Sequence, residues 1–366
     1  MRLIDVKNYV FQEFLGSQTP KYAILSHTWG HEEVTHQEWL GWLATGSSSA
    51  MKKQGFQKIM GACKQAKEDH LDGLWVDTNC IDKTSSAELT EAINSMYAWY
   101  RDSTICYCYM ADVPTASSSD DDILTLFRES RWHTRGWTLQ ELLASRQIVF
   151  YSQSWTVIGT KDTLLSPISA VTGIEESCLA EATGQDRIRF ANISMKMSWV
   201  AKRKTTRVED IAYCMLGIFD INMPLLYGEG MKAFTRLQEE ILRSTNDHTI
   251  FCWALDETVP EGWISMLAPT PQTFKDSADS RSFRNSALYY ESLSMTPYSM
   301  TNIGLSITLP VIFTPKACMP SWMLSSMPTR MTRSICAYAW STPLWSSGGR
   351  NPCGGLWRWI RKVSEA

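Results

Sequence analysis

The chain has 366 residues, of which 44% are hydrophobic and 20% charged, a composition typical of a globular protein with ample core material. Its net charge of −3 and the lack of a long basic run give no electrostatic footprint for nucleic-acid binding. The N-terminus has no signal-peptide pattern, and no run approaches the roughly 18–20 apolar residues of a membrane-spanning helix. We therefore expect a cytoplasmic protein with no membrane span.

The ten cysteines are scattered and form no CxxC pair, so we expect reduced, buried thiols. His27, His31 and His36 lack accompanying paired thiols, and we expect no metal site. Cys80 could be a nucleophile, but no histidine–asparagine arrangement accompanies it, and the sequence favours a buried thiol there.

The first 150 residues alternate between strand and helix patterns. Short apolar runs predict strands at residues 22–26, 73–77, 104–110 and 147–151. Helical periodicity predicts helices over 51–70, 85–101 and 136–144, the second opening with a capping box formed by Ser85 and Glu88. Such strands, separated by amphipathic helices, indicate an α/β fold whose parallel sheet has helices on both faces.

The rest of the chain changes character twice. Residues 208–219 and 231–242 have helical periodicity, whereas residues 250–313 look β-rich, with 303–312 the clearest strand. From Phe313 onward there are seven basic residues, one acidic residue and five tryptophans, without clear periodicity. We divide the chain into an α/β domain (1–155), a mainly helical extension packed on it (156–248), a small β-rich region (249–313) and an atypical tail (314–366). A disordered segment and a misframed reading both remain open for the tail.

The carboxyl ends of parallel strands form one edge of a sheet, where binding sites usually lie. That edge should carry the loop at residues 26–30, the segment 77–82 and Asp112. The fold pattern thus selects candidate site residues without any comparison to other proteins.

Three segments, residues 22–30, 74–83 and 131–142, resemble in order and spacing the signature blocks of the fungal heterokaryon incompatibility (HET) domain family. The resemblance extends over roughly residues 1–310. Known relatives pair this domain with a nucleotide-binding switch and propeller repeats, but this sequence contains neither a phosphate-binding loop motif nor a repeat of about 40 residues. The resemblance implies a role in non-self recognition and programmed cell death.

HET domains in turn look remotely similar to Toll/interleukin-1 receptor (TIR) domains, which have a flavodoxin-like sheet. The segment 137–142 is similar to a Trp-Cys-x-x-Glu-Leu motif of TIR domains, with Thr138 in place of the cysteine. This second resemblance implies that Glu141 supports cleavage of the nicotinamide–ribose bond, with NAD as substrate and no bound cofactor. The alternative for Glu141 is a surface or capping residue in the first turn of a helix, favoured there by the helix dipole.

The remaining candidate binding residues each have a functional and a structural interpretation. The strand-to-helix loop of Ser26, His27, Thr28, Trp29 and Gly30 could hold a nucleotide, with Trp29 stacked on a ring, or Trp29 could seal the top of the sheet. Asp77 and Asp82 could bind ribose hydroxyls or pair with arginines, and Arg131 and Arg135 could clamp a pyrophosphate or hold those aspartates. Trp137 could line the same site or pack in the core.

The sequence thus favours a death-inducing effector that hydrolyses NAD, activated by association with itself or with other incompatibility proteins. The alternative is a non-catalytic signalling module that works by homotypic association. An open cleft shared by Glu141 and the loop at 26–30 would favour the enzyme, whereas burial of Glu141 in ion pairs would favour the module.

Overall fold

The computed structural model describes residues 1–46, 48–114, 120–180 and 184–278, together with four short strand segments between residues 299 and 320. The chain divides into two compact units. The first comprises residues 1–189 and 203–225, and the second comprises residues 190–202 and those from 226 onward. Within the described ranges, no helix is long and apolar enough to cross a membrane.

The first unit is built on a seven-stranded sheet. Its strands are β1 (Arg2–Asp5), β2 (Phe11–Glu13), β3 (Tyr22–His27), β4 (Gly73–Trp75), β5 (Ile105–Tyr109), β6 (Ile148–Tyr151) and β7 (Val157–Thr160). They lie in the order β2-β1-β4-β3-β5-β6-β7. The four central strands are parallel, whereas β1 pairs antiparallel with β2 and β4, and β6 pairs antiparallel with β7.

The predicted α/β fold with flanking helices is confirmed, but the sheet is mixed rather than wholly parallel. The four predicted strands form its parallel centre, in the order 2-1-3-4 that begins a flavodoxin-like sheet. β3 is buried at all six residues, as expected for a strand covered on both faces. The sequence does not reveal the edge strands β2 and β7, because their residues are mostly exposed and form no buried apolar run.

Helices connect and cover these strands. The α-helices of the described residues are α1 (His36–Thr45), α2 (Ser48–Met51), α3 (Gln54–Glu68), α4 (Ser86–Asp102), α5 (Asp120–Glu129), α6 (Trp137–Ala144), α7 (Leu165–Thr172), α8 (Glu176–Leu179), α9 (Gly184–Phe190), α10 (Ile193–Val200), α11 (Asp210–Tyr213), α12 (Leu216–Phe219) and α13 (Lys232–Ser244). Short 3-10 helices span Gly16–Gln18, Arg131–Thr134, His248–Phe251 and Pro271–Phe274.

Only half of the predicted capping box forms at the start of α4. The Ser85 hydroxyl accepts the Glu88 backbone N–H at 3.3 Å. The Glu88 carboxylate instead accepts the Asp82 backbone N–H at 2.7 Å and pairs with Arg2 at 2.7 Å. A complete capping box, which the sequence analysis did not identify, opens α1 between Thr35 and Glu38.

The single helix predicted over 208–219 is wrong, because the segment forms two short helices, α11 and α12, with a tight turn between them. Gly217 explains how closely α12 approaches α4. A Cβ built at Gly217 would lie 2.0 Å from the Cβ of Tyr97, so no larger residue fits there.

The second unit contains α10, α13 and the 3-10 helices at 248–251 and 271–274. Gln238 is fully buried and forms two hydrogen bonds with the Ala268 backbone, donating to its carbonyl at 3.0 Å and accepting from its N–H at 2.9 Å.

The β-rich character predicted for 250–313 is absent from residues 250–278, which form 3-10 turns and irregular structure. Two hairpins follow, β8 (Ser299–Thr301) with β9 (Gly304–Ser306) and β10 (Val311–Thr314) with β11 (Ala317–Pro320). Part of the strand predicted at 303–312, and the tail beyond residue 320, lie outside the described residues, and the domain boundaries at 155, 248 and 313 stay predictions.

Candidate functional site

The strand order creates a topological switch point between β3 and β5. From β3 the chain passes to β4 on one side and then crosses to β5 on the other. In open α/β sheets, ligands bind outside the carboxyl ends of the strands at such a point. The segment that ends β3 and continues to Gly30 lies here, and Asp77 follows the end of β4.

Glu141 is buried behind the end of β3 and joins a hydrogen-bond network that we call the inner network, made of Ser26, Trp132, Tyr100 and Glu141. The Ser26 hydroxyl donates to the Glu141 carboxyl at 2.5 Å and accepts the Trp132 indole N–H at 2.8 Å. The Tyr100 hydroxyl donates to the Leu25 carbonyl at 3.1 Å. Glu141 is only 6% exposed, so the alternative of a surface residue in the first helical turn is wrong.

Burial changes the protonation of this carboxyl. Desolvation raises the pKa of Glu141 to about 8, and the negative charge of Asp77 acts in the same direction. The hydrogen bonds of Ser26 and Tyr100 and the charge of Arg203 oppose that rise. The carboxyl is therefore mostly protonated at neutral pH, when it cannot stabilise a positive charge.

Arg203 is a buried cation that the sequence analysis did not identify. It comes from the segment that returns to the first unit, and its Nη1 donates to the Arg135 carbonyl at 2.8 Å and to the Thr138 hydroxyl at 2.9 Å. Lys204 adds two backbone hydrogen bonds, with Thr134 and Gly136, beside it. Residues 203–204 thus hold the start of α6, the helix that carries Glu141.

A second group of residues, which we call the charged cluster, lies at the ends of β3 and β4. It consists of His27, Glu33, Lys58, Asp77 and Lys83. Lys58 and Glu33 form an ion pair at 2.7 Å with side chains 6% and 13% exposed, and Lys83 lies 3.9 Å from Asp77. The two carboxylates and two ammonium groups balance in charge.

His27 lies between the two carboxylates without a hydrogen bond. Its Nε2 is 3.8 Å from Glu33 and 3.7 Å from Asp77, and neither ring nitrogen has a hydrogen-bond partner. Desolvation, with the charges of Lys58 and Lys83, holds the pKa of His27 well below its usual value. The imidazole is therefore neutral.

Trp29 covers the solvent side of this cluster. Its indole N–H donates to Asp77 at 2.8 Å, the Lys83 ammonium lies 3.6 Å from the ring centroid, and the side chain is 48% exposed. Gly30 is exposed and donates its N–H to Glu33 at 2.7 Å, while Thr28 is buried. The predicted loop thus bonds to the charged cluster instead of lying free.

Three predicted residues lie elsewhere. Asp82 is half-buried, accepts hydrogen bonds from Gln37 and Thr84, and has its pKa lowered to about 2 mainly by the Thr84 hydroxyl. Arg131 is exposed, and Arg135 donates to Thr206. Neither arginine forms an ion pair with Asp77 or Asp82, so the alternative in which these arginines hold the aspartates is wrong. Trp137 begins α6 and is half-buried.

Other candidates have structural roles. Cys80 is buried, and desolvation raises the pKa of its thiol to about 12, which disfavours a nucleophile. Trp75 is buried and packs on Trp99 with ring centroids 5.5 Å apart, as core packing predicts. Among the described residues, no group of histidine, cysteine and carboxylate side chains could hold a metal ion. A separate cleft of about 820 Å³ lies at the opposite end of β3, beside Tyr22.

Comparisons with known proteins indicate the family to which part of the chain is related. Residues 22–122 match the family model "Heterokaryon incompatibility protein (HET)", and residues 232–262 match "Domain of unknown function (DUF8212)". The chain is 44% identical over 228 residues to the Vegetative incompatibility protein HET-E-1 of Podospora anserina. The aligned part covers 61% of this chain and 16% of that relative, so the chain spans a small part of the relative's length. No solved structure matches the chain significantly. On the family match and this identity, the chain contains a heterokaryon incompatibility (HET) domain at residues 22–122.

Proposed function

We propose that this chain acts in heterokaryon incompatibility, as an effector of programmed cell death after non-self recognition. The family match and the 44% identity to a vegetative incompatibility protein support this role. Because the alignment covers only 16% of that relative, the proposed role rests on the aligned part alone.

The proposed biochemical act is hydrolysis of NAD at the nicotinamide–ribose bond. The observation that carries it is the buried Glu141 carboxyl, hydrogen-bonded to Ser26 beside the switch point, with its pKa raised to about 8. Carboxyl groups with strongly shifted pKa values, located at the carboxyl ends of the strands of a parallel sheet, are typical of functional sites. As a carboxylate, Glu141 would stabilise the oxocarbenium-like transition state that forms as nicotinamide leaves.

The closed inner network implies that this activity needs a rearrangement. In this structure Glu141 is buried and mostly protonated, so a substrate cannot reach it and it has no negative charge to stabilise a cation. Opening the site to water and ribose hydroxyls would remove part of the desolvation that raises its pKa. Self-association is the proposed source of the free energy for opening, which would keep the effector inactive until it is triggered.

One observation favours the second candidate, a non-catalytic module that acts by homotypic association. The inner network is closed and its hydrogen bonds join neutral groups, as in a structural core. In that case Glu141 would specify the packing of α6 against β3, and signalling would use the exposed surface alone.

The test is NAD consumption by the full chain, fused to an inducible oligomerising tag, at neutral pH. We expect wild type to consume NAD only when oligomerised, and Glu141→Gln to lose at least about a hundredfold of that rate, because an amide cannot become the stabilising carboxylate. The matched control is Glu68→Gln on the exposed face of α3, where Glu68 lies 3.8 Å from Lys64, and it should keep full activity.

Equal NAD loss with wild type and Glu141→Gln would retain the enzyme and reject Glu141 as its catalytic residue. No NAD loss from oligomerised, folded wild type would favour the interaction module. A cell-death assay with the same variants then separates the two, because the module predicts that Glu141→Gln still kills.

A further inference from the structure

The charged cluster contains buried polar atoms without partners, and these need an explanation. Both ring nitrogens of His27 and one carboxylate oxygen of Glu33 are buried without a hydrogen bond. The Thr78 hydroxyl and the Asn79 amide, which directly follow Asp77, are in the same condition. Buried polar groups in folded proteins are nearly always bonded to protein, ordered water or a ligand. These atoms at the ends of β3 and β4 can therefore form hydrogen bonds with a bound ligand.

The charges of the cluster determine which chemical groups of a ligand it can bind. Glu33 pairs with Lys58, and Asp77 has Lys83 nearby, so the five side chains of the cluster hold no more cationic groups than carboxyl groups with which to attract a phosphate. Its two carboxylates accept hydrogen bonds only, and they flank a neutral imidazole that has one donor and one acceptor. Such a set suits neighbouring hydroxyl groups, each of which can donate to a carboxylate, while one of them also accepts from the imidazole N–H.

The exposure of the side chains shows how a guest would enter. His27 is 1% exposed, Asp77 20% and Lys83 32%, so the cluster opens toward solvent on the side of Asp77 and Lys83. Trp29 lies on that side, half-exposed, with one hydrogen bond holding it to Asp77. An indole in this position offers a flat apolar surface to the ring of an entering sugar.

We propose that the charged cluster is a subsite for the vicinal hydroxyls of a ribonucleotide's ribose, with Asp77 and Glu33 accepting from the hydroxyls and Trp29 covering the sugar. The inference rests on the proposed nucleotide substrate and deepens it: the sugar lies at the ends of β3 and β4, and the phosphate lies elsewhere. Asp82, which is bonded to Gln37 and Thr84 outside the cluster, does not take part.

The experiment is calorimetric titration of the full wild-type chain with adenosine 5′-monophosphate and with its 2′,3′-dideoxy analogue. AMP has no nicotinamide bond, so binding is measured without turnover. We expect the dideoxy analogue to bind at least about tenfold more weakly, because it lacks hydrogen bonds to charged acceptors. Inorganic phosphate, titrated alone, should show no binding.

Two variants locate the effect. Asp77→Asn should weaken AMP binding about tenfold and leave the dideoxy analogue unchanged, since the amide keeps the volume but loses the charged acceptor. Asp82→Asn is the matched control, with the same substitution five residues away, and should bind both nucleotides as wild type does.

Equal binding of the two nucleotides, or no binding of AMP, would overturn the proposal, and so would equal losses in the two aspartate variants. If Asp77→Asn does not fold, the comparison of the two nucleotides on wild type still decides. Hydroxyl-dependent binding without NAD turnover would uphold the subsite and reject NAD hydrolysis. Turnover without hydroxyl-dependent binding would do the reverse.

Discussion

The inner network and the charged cluster lie at the same end of the sheet, but their polar side chains are stabilised in different ways. The inner network buries one carboxyl by keeping it protonated and bonded to a hydroxyl. The charged cluster places two carboxyl groups beside two lysines and leaves a neutral histidine unbonded between them. The inner network is closed, whereas the charged cluster contains buried polar atoms without hydrogen-bond partners.

This difference indicates which of the two groups of residues can bind a ligand without first rearranging. A closed network of neutral groups gains nothing from a guest until it opens, whereas a cluster with unpartnered atoms gains hydrogen bonds as soon as a suitable guest arrives. We therefore expect the charged cluster to bind first and the inner network to respond.

The largest expected effect comes from removing one charge of the cluster. Lys58→Met should lower the free energy of unfolding by about 3–5 kcal/mol, because it leaves Glu33 buried beside Asp77 without its cation. The midpoint of urea unfolding measures this. The control is Lys64→Met on the same helix, whose exposed pair with Glu68 should contribute about 0–1 kcal/mol. Similar midpoints for the two variants would show that the cluster is not a buried ionic unit.

The next effect is the pH dependence caused by Glu141. Its pKa is about 8 in the folded chain against 4.5 for an ordinary glutamate, so the folded state holds the extra proton between these values and stability falls as pH rises. Between about pH 5 and about pH 7.5, wild type should lose roughly 3 kcal/mol relative to Glu141→Gln, whose amide does not titrate.

Unfolding midpoints of both proteins at the two pH values give this difference directly. A difference that is independent of pH would mean that Glu141 is ionised throughout, and the contrast between a neutral network and an ionic cluster would disappear.

The smallest effect concerns Trp29. Trp29→Phe removes the indole hydrogen bond to Asp77 but keeps an aromatic ring beside Lys83, so stability should fall by only about 1 kcal/mol. Trp132→Phe is the buried counterpart, since it removes the hydrogen bond to Ser26, and should cost more. Equal losses would indicate that Trp29 is held as firmly as the core and does not act as a movable cover.

The fold was predictable where apolar runs and helical stripes are long. β3 and β5 are buried runs, and α3 and α4 show clear periodicity, so both kinds of element appear within a few residues of their predicted bounds. β2 was not predictable, because a three-residue edge strand with exposed side chains has no periodic signal. The break between α11 and α12 was not predictable from the local periodicity, and α12 packs closely on α4 at Gly217.

The site was predictable in its location but not in its partners. The rule for strand ends selected Ser26, His27 and Asp77, while Arg203 depends on a contact across 65 or more residues of sequence. Lys58 did leave a signal, since it is three residues after Gly55 and four before Ala62 on the buried face of α3. A lysine at a core position of a helix indicates a buried counter-ion, and Glu33 is that residue.

The discontinuity of the first unit has a consequence for recombination and gene fusion. The family match covers residues 22–122, yet the unit also needs β1 and β2 before it and the returning segment 203–225, whose Arg203 and Lys204 hold α6. A breakpoint anywhere between residues 123 and 203 would therefore separate Glu141 from residues that position it. Chimeras that transplant the first unit should carry residues 1–225 as one cassette, including residues 190–202.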